Sequence, residues 1–230
     1  MAIFRAAAER GTTRLSWLDS RHTFSFGDYY DPRHLGVSAL RVINDDVVVA
    51  GAGFGTHGHR DMEILTYVTE GVIAHEDSTG NREQVPAGEF QLMHAGQGIR
   101  HSEFNASPQQ TLRFLQIWIQ PAQRGGAPGY EQKNFPRVEG LQLVVSPDGR
   151  DGSLTIRQDA SVYRATCSAA AAVALPLPAG RCGYLHVVRG SVQFAGRLLT
   201  AGDGVAFDTR DDLDARVETA AEFLFFDLPA

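Results

Sequence analysis

Two short segments of this chain combine residue types and spacing suited to metal chemistry. His57-Gly58-His59 follows a glycine-rich stretch, and His101-Ser102-Glu103 follows Gly96 and Gly98. In an extended strand, residues i and i+2 project from the same face. Each segment therefore delivers two donor groups to one side of a sheet. Where both sides point into one interior, three imidazoles and one carboxylate converge. Taken singly, either pair is as well read as hydrogen-bonded side chains; two such pairs on strands of one domain favour metal binding. Three nitrogens and one oxygen suit a single divalent transition metal, with Fe, Ni, Cu, Co, Mn and Zn all eligible. Such a site usually keeps a position open for water or substrate. The set leaves a divalent ion with a net positive charge, which favours an anionic oxygen such as a deprotonated enol. Loading needs neutral imidazoles, so affinity is expected to fall below about pH 6.5.

The elements that must hold these groups read as strands. Short apolar and β-branched runs recur between Gly, Pro, Asp and Asn: 38–43, 47–50, 62–69, 71–76, 90–94, 99–105 and 112–120, with a turn expected at Asn44-Asp45-Asp46. That pattern indicates sandwiches or barrels. Residues 121–140 hold three prolines and four glycines and read as a connection, with a short helix expected around Tyr130 to Phe135. β patterning then resumes to the end of the chain. The two halves echo each other: Val68-Thr69-Glu70-Gly71 and Ala87-Gly88-Glu89 match Val187-Val188-Arg189-Gly190 and Ala201-Gly202-Asp203. The expected fold is all-β, two tandem barrels with few short helices. Residues 1–130 form the metal-binding unit and residues 131–230 a metal-free one.

Composition limits the partners. The 230 residues carry net charge -6, with 43% hydrophobic and 21% charged. That is ordinary for a globular protein with real cores. The acidic balance argues against direct nucleic-acid binding, which usually needs a Lys/Arg patch. No run approaches the ~18 apolar residues of a membrane helix, and the N-terminal segment does not read as a secretory signal. The cytoplasm is the expected location. Cys167 and Cys182 read as buried small hydrophobes, not a disulfide framework.

The spacing Gly51-x5-His57-x-His59-x3-Glu63-x7-Gly71 resembles the first cupin motif, with one extra residue before its last glycine. Gly80-x5-Pro86-x-Gly88 resembles the opening of the second, but Gln91 stands where that motif has its histidine. The replacement, His101-x-Glu103, comes from the next strand. That variant is similar to the pirin family of bicupins, as are Asp19-Ser20-Arg21-His22-Thr23-Phe24-Ser25-Phe26, Gly53-Phe54-Gly55-Thr56-His57 and Gly98-Ile99-Arg100-His101-Ser102-Glu103. The resemblance covers the N-terminal half; the C-terminal half matches by pattern more than by motif.

The resemblance implies cupin-type barrels, a metal on His57, His59, His101 and Glu103, and no metal in the second barrel. Glu63 is then not a ligand but holds an imidazole or a turn. It further implies an oxidoreductase of the quercetin 2,3-dioxygenase type, taking a small phenolic substrate and O2, with Glu103 as catalytic base. In that reading the ring opens with loss of carbon monoxide. The family's alternative is a metal-binding, redox-sensing regulatory protein acting on a protein partner without turnover; another cupin chemistry that needs no O2 is a third. A bicupin already pairs its barrels, so a monomer is expected. His22 reads as hydrogen-bonded to backbone, His186 as a packed strand residue, and Trp17, Phe24, Phe26 and Trp118 as core. Nothing in the spacing of His75 or His94 requires them at the site.

Overall fold

The computed structural model describes residues 2–230. It is all-β; among the described residues the only helical pieces are two 3-10 turns, Ala7–Glu9 and Arg150–Gly152. No helix is long and apolar enough to cross a membrane.

Each half is a long sheet packed on a short one, not one ladder closed on itself. In the first half the long sheet runs Gly129–Asn134, Glu89–His94, Glu63–Glu70, Leu112–Ile119, Leu40–Val48, Leu18–His22, Gly11–Arg14, and the short sheet Gly53–His59, Ile99–Asn105, Val72–Asp77, Arg82–Pro86. The second half repeats the order. Gly204–Phe207, Cys182–Arg189, Ala221–Leu228 and Ser161–Cys167 stand where Glu89–His94, Glu63–Glu70, Leu112–Ile119 and Leu40–Val48 stand in the first. Its short sheet, Ala171–Ala174, Asp214–Val217, Ser191–Phe194, Arg197–Thr200, repeats the other. The duplication heard in the sequence is thus a duplication of topology. These are two tandem cupin-type units.

The long sheets pack against each other. Leu65, Tyr67, Leu115, Ile117 and Ile119 of the first half share a cluster with Val144, Val162, Tyr184, Leu224 and Phe226 of the second. Long-sheet strands are therefore covered on both faces, which is why Glu63–Glu70 is buried over its first six residues. Period-2 geometry then sends the alternate residues into the first half's interior. Those residues include Thr66, Gln116, Asn44 and Asp46, all buried.

Two expectations are corrected. The turn at Asn44-Asp45-Asp46 does not exist: Leu40–Val48 is one strand, paired from Leu112↔Val48 to Ile119↔Leu40. Alternating Val42, Asn44, Asp46 and Val48 put two polar side chains on the interior face, which a polarity reading mistakes for a turn. The expected helix near Tyr130 is instead strand Gly129–Asn134, paired with Glu89–His94. An open sheet edge offers a row of unmet N–H and C=O groups, and satisfying it outweighs local helix preference. The termini of the halves interlock, since Ile3–Arg5 pairs with Gly204–Phe207 of the second half.

Arg164 is a buried polar tie that fastens the connection and the second half to Gly88 of the first. It is 1% exposed. Its guanidinium donates to Phe135 O at 2.8 Å, Pro136 O at 3.3 Å, Gly88 O at 3.4 Å and Gln142 Oε1 at 2.7 Å. Arg164→Met keeps the stem and strands those acceptors. Each unmet buried group costs about 1–3 kcal/mol, partly relieved by water, so a loss of about 3 kcal/mol in urea unfolding is expected. A change below ~0.5 kcal/mol would deny Arg164 this role.

Candidate metal centre

Strands Gly53–His59 and Ile99–Asn105 lie side by side with His101 opposite His57. The register then slips, and Glu103 pairs with Phe54. One extra residue on the glycine-rich strand forms a bulge, a device that re-aims side chains. It leaves the Gly55 carbonyl 2.8 Å from His57 Nδ1. Nδ1 donates to that oxygen, so Nε2 is the free nitrogen of His57. Glycine is required beside this crossing: a Cβ on Gly53 would sit 2.3 Å from Glu103 O.

The three expected histidines meet. Ring centroids are 4.8 Å apart for His57 and His59, 4.4 Å for His57 and His101, and 4.9 Å for His59 and His101. One ligand nitrogen from each lies within 4.8 Å of the others. Glu103 joins His101 and a residue that the spacing did not single out, His75, in a second group of the same size. His57 and His59 are half-buried, whereas His101 and Glu103 are 1% and 3% exposed.

The donor chemistry fits a metal. Both ring nitrogens of His101 are buried with no hydrogen-bond partner. Such atoms cost free energy unless something else in the site meets them. Burial, with repulsion from His101 and His57, lowers the His59 pKa to about 4. Burial, with repulsion from His57 and His75, lowers that of His101 to about 3. Both rings therefore stay in the neutral form that a metal needs, well below the expected limit of about pH 6.5.

Glu103 is held by amides. Gln116 Nε2 donates to Oε2 at 2.8 Å, and Gln91 Nε2 to Oε1 at 3.3 Å. Thr66 Oγ1 donates to Gln116 Oε1 at 2.8 Å, fixing that amide's orientation. Burial raises the proton affinity of Glu103 above that of an ordinary glutamate, although His75, His57, His59 and Gln116 favour its charge.

A cavity of about 100 Å3 opens on the cluster. Phe26, Phe54 and Trp118 line it with His57, His59 and Glu103. Phe26 packs edge-on against Trp118 at 5.3 Å, and His59 likewise at 4.9 Å. Phe26 and Trp118, expected in the core, are thus walls of the site; Phe24 is core. The same cavity has a polar wall of Thr13, Ser20, His22, Asn44 and Asp46, with His22 packed against Phe26 at 5.3 Å. His22 bonds to side chains, not to backbone as expected: Asn44 Oδ1 and Thr13 Oγ1, each at 2.8 Å. Burial raises the Asp46 pKa to about 7, against a hydrogen bond from Ser20.

Glu63 lies outside the cluster. Its Oε2 is 2.6 Å from His94 Nδ1 and accepts the Arg157 backbone N–H at 3.0 Å. It holds an imidazole, as expected, but one that the metal groups do not include. His186 is 1% exposed on its strand. Cys167 is buried and Cys182 half-buried, and both are free.

The family description Pirin matches residues 3–119, and that of a quercetinase C-terminal cupin domain matches residues 143–228. A quercetin 2,3-dioxygenase from Escherichia coli (strain K12) is 52% identical over 229 residues, covering 100% of this chain and 99% of that protein. A pirin-like protein from Caulobacter vibrioides is 44% identical over 192 residues, 82% of each. The crystal structure of the bacterial pirin YhhW from Escherichia coli, in complex with nickel(II), matches at TM-score 0.96 and 51% identity, covering 100% of this chain and 99% of that one. With its motifs, its duplicated topology and these relatives in agreement over the full length, the chain belongs to the pirin family.

Proposed function

We propose that this chain is an oxidoreductase of the quercetin 2,3-dioxygenase type, cleaving a flavonol with O2 and using one divalent metal held by His57, His59, His101 and Glu103. The observation that carries the reading is His101: two buried nitrogens without partners, beside the His57 and His59 rings that line an aromatic-walled cavity. The relative named quercetin 2,3-dioxygenase supports the substrate class, and the nickel complex of YhhW supports a divalent ion. Bound there, the metal supplies Lewis acidity toward an enolic or phenolic oxygen. In this reading the metal belongs to the first half, where both donor groups gather. We place the division between halves after strand Gly129–Asn134. The chain acts as a monomer, its two long sheets already covering each other.

The protein's own groups do the positioning and the proton transfer. Phe26, Phe54 and Trp118 exclude water from the reacting ring. Glu103, whose burial strengthens it as a base, accepts the proton of the flavonol 3-hydroxyl at one carboxylate oxygen. Gln116 and Gln91 keep that carboxylate from rotating away. At about 100 Å3 the cavity is smaller than the ~300 Å3 and upward usual for drug-sized ligands. Only the reacting ring is enclosed, and the remaining rings occupy a mouth opened by the aromatic rim.

Oxygen uptake on adding quercetin to metal-loaded protein tests the reading. Glu103→Gln is expected to fold and to lose on the order of 10²–10⁴-fold in turnover, compared at equal metal content. Equal turnover removes Glu103 from the role of base. Full metal loading with no uptake by the wild type sinks the flavonol reading and favours a metal-binding protein without turnover.

A further inference from the structure

His75 belongs to no motif and takes no part in the reaction just described. It lies on Val72–Asp77, which pairs with the strand carrying His101 and Glu103, and Glu103 stands opposite His75 in that ladder. Its ring centroid is 5.4 Å from that of His101. One of its nitrogens, one of His101 and a carboxylate oxygen of Glu103 all lie within 4.8 Å of one another.

The hydrogen bonds of His75 meet one ring nitrogen and leave the other unmet. The side chain has no solvent exposure. Nε2 is committed to Asp77 Oδ2 at 3.2 Å. Asp77 is itself pinned: Oδ1 accepts from Thr79 N at 2.8 Å and Thr79 Oγ1 at 2.6 Å, and Oδ2 from Asn81 Nδ2 at 2.9 Å. A carboxylate so supplied with donors keeps the imidazole proton on Nε2, which leaves a lone pair at Nδ1. That Nδ1 is buried and has no partner. Tyr130 covers the ring at 4.8 Å, but its hydroxyl is spent on Gln91 Oε1 and Gln132 Oε1. Most buried polar atoms are met, and this unmet nitrogen, unlike that of His186, belongs to a ring within a group of metal-ligating side chains. Carboxylate, imidazole and metal in series is the usual way a protein orients a ligating histidine. His57 has the same arrangement, with the Gly55 carbonyl in place of the carboxylate.

We propose that His75, oriented by Asp77, is a further ligand of the metal. The centre then draws on both groups that contain His101: His57, His59 and His101, and His75, His101 and Glu103. This rests on the site holding a divalent ion but not on flavonol turnover.

Full-length wild type, His75→Ala and Asp77→Asn are each stripped and reloaded with Co(II). The dissociation constant is read by competition with a chromophoric chelator and the ligand field from the visible d–d bands. His75→Ala is expected to bind Co(II) about 10–100-fold more weakly, with shifted bands. Asp77→Asn, which keeps the imidazole but loosens it, should fall in the 10–100-fold range known for such orienting partners, with a smaller band shift. A folded His75→Ala with wild-type affinity and bands overturns the proposal. Should His75→Ala fail to fold, Asp77→Asn decides: unchanged affinity and bands overturn it equally. Wild type that binds Co(II) but consumes no oxygen with quercetin removes the flavonol reading and leaves this one standing. Wild type that binds no Co(II) removes both.

Discussion

His101→Ala is expected to abolish metal loading, whereas His57→Ala and His59→Ala should only weaken it. The asymmetry follows from burial and from sharing. His57 and His59 are half-buried at the cavity, so water can replace either imidazole as a donor. His101 is 1% exposed, stands in both donor groups, and has both nitrogens unmet. Structural zinc sites bind with about 10–16 kcal/mol spread over four ligands, or about 2.5–4 kcal/mol each. Removing one costs on the order of 10²–10³-fold in affinity. At His101 the loss reaches the upper end, because no water readily enters behind the other rings. Metal analysis after dialysis at micromolar nickel is expected to show an ion in wild type and almost none in His101→Ala. Partial occupancy belongs to the two cavity variants. Oxygen uptake with quercetin should follow occupancy across the series. Equal losses in all three variants would mean that the histidines contribute as equivalents and that the buried position has no special weight.

Much of the centre was legible because strand periodicity is short-range. His57-x-His59 and His101-x-Glu103 advertise a shared face within three residues, and the flanking glycines advertise the bulge and close crossing found there. His75-x-Asp77 carries the same i, i+2 signal, and only the lack of a motif around it hid the pair. The polar wall was lost for a different reason. Asn44-Asp45-Asp46 has the composition of a turn, and composition cannot distinguish a turn from a strand whose interior face is polar. What overrides it is pairing on both sides, with Asp46 between Ser20 and Phe114, and strand pairing is a long-range fact. The edge strand at Gly129–Asn134 was missed in the same way. The packing of the long sheets on each other explains why those strands read as continuous apolar runs instead of alternating ones. Each face has a different core to fill.

Metal-free protein should lose stability between pH 7 and pH 5, because burial holds His59, His101 and His186 neutral in the folded state, with Asp46 opposing them. His186 is held neutral by burial and by the charge of Arg10, which lower its pKa to about 3 from 6.5. On acidification the unfolded chain takes up that proton first, so His186 contributes stability above pH 6.5 that is lost as the pH falls toward 3. By pH 5 the loss is about 2 kcal/mol. Asp46 runs the other way. Its pKa is about 7 when folded and 3.8 otherwise, so the folded state keeps its proton longer. That contribution is present below pH 3.8 and is lost as the pH rises through 7. Going from pH 7 to pH 5 therefore restores about 2 kcal/mol, and at pH 8 the penalty reaches about 4 kcal/mol. Urea midpoints in chelator should separate the two. Asp46→Asn loses about 2 kcal/mol more than wild type between pH 7 and pH 5 and exceeds wild type at pH 8. His186→Leu loses about 2 kcal/mol less than wild type over the same range. Parallel profiles for all three proteins would show that neither group titrates as its burial demands. Of the two, only Asp46 lines the cavity, and its Oδ1 has no partner. A protein that concedes stability at neutral pH to keep an unmet carboxyl in the wall of its cavity is following the pattern of functional sites, where local rules are broken and the cost is met by the rest of the fold.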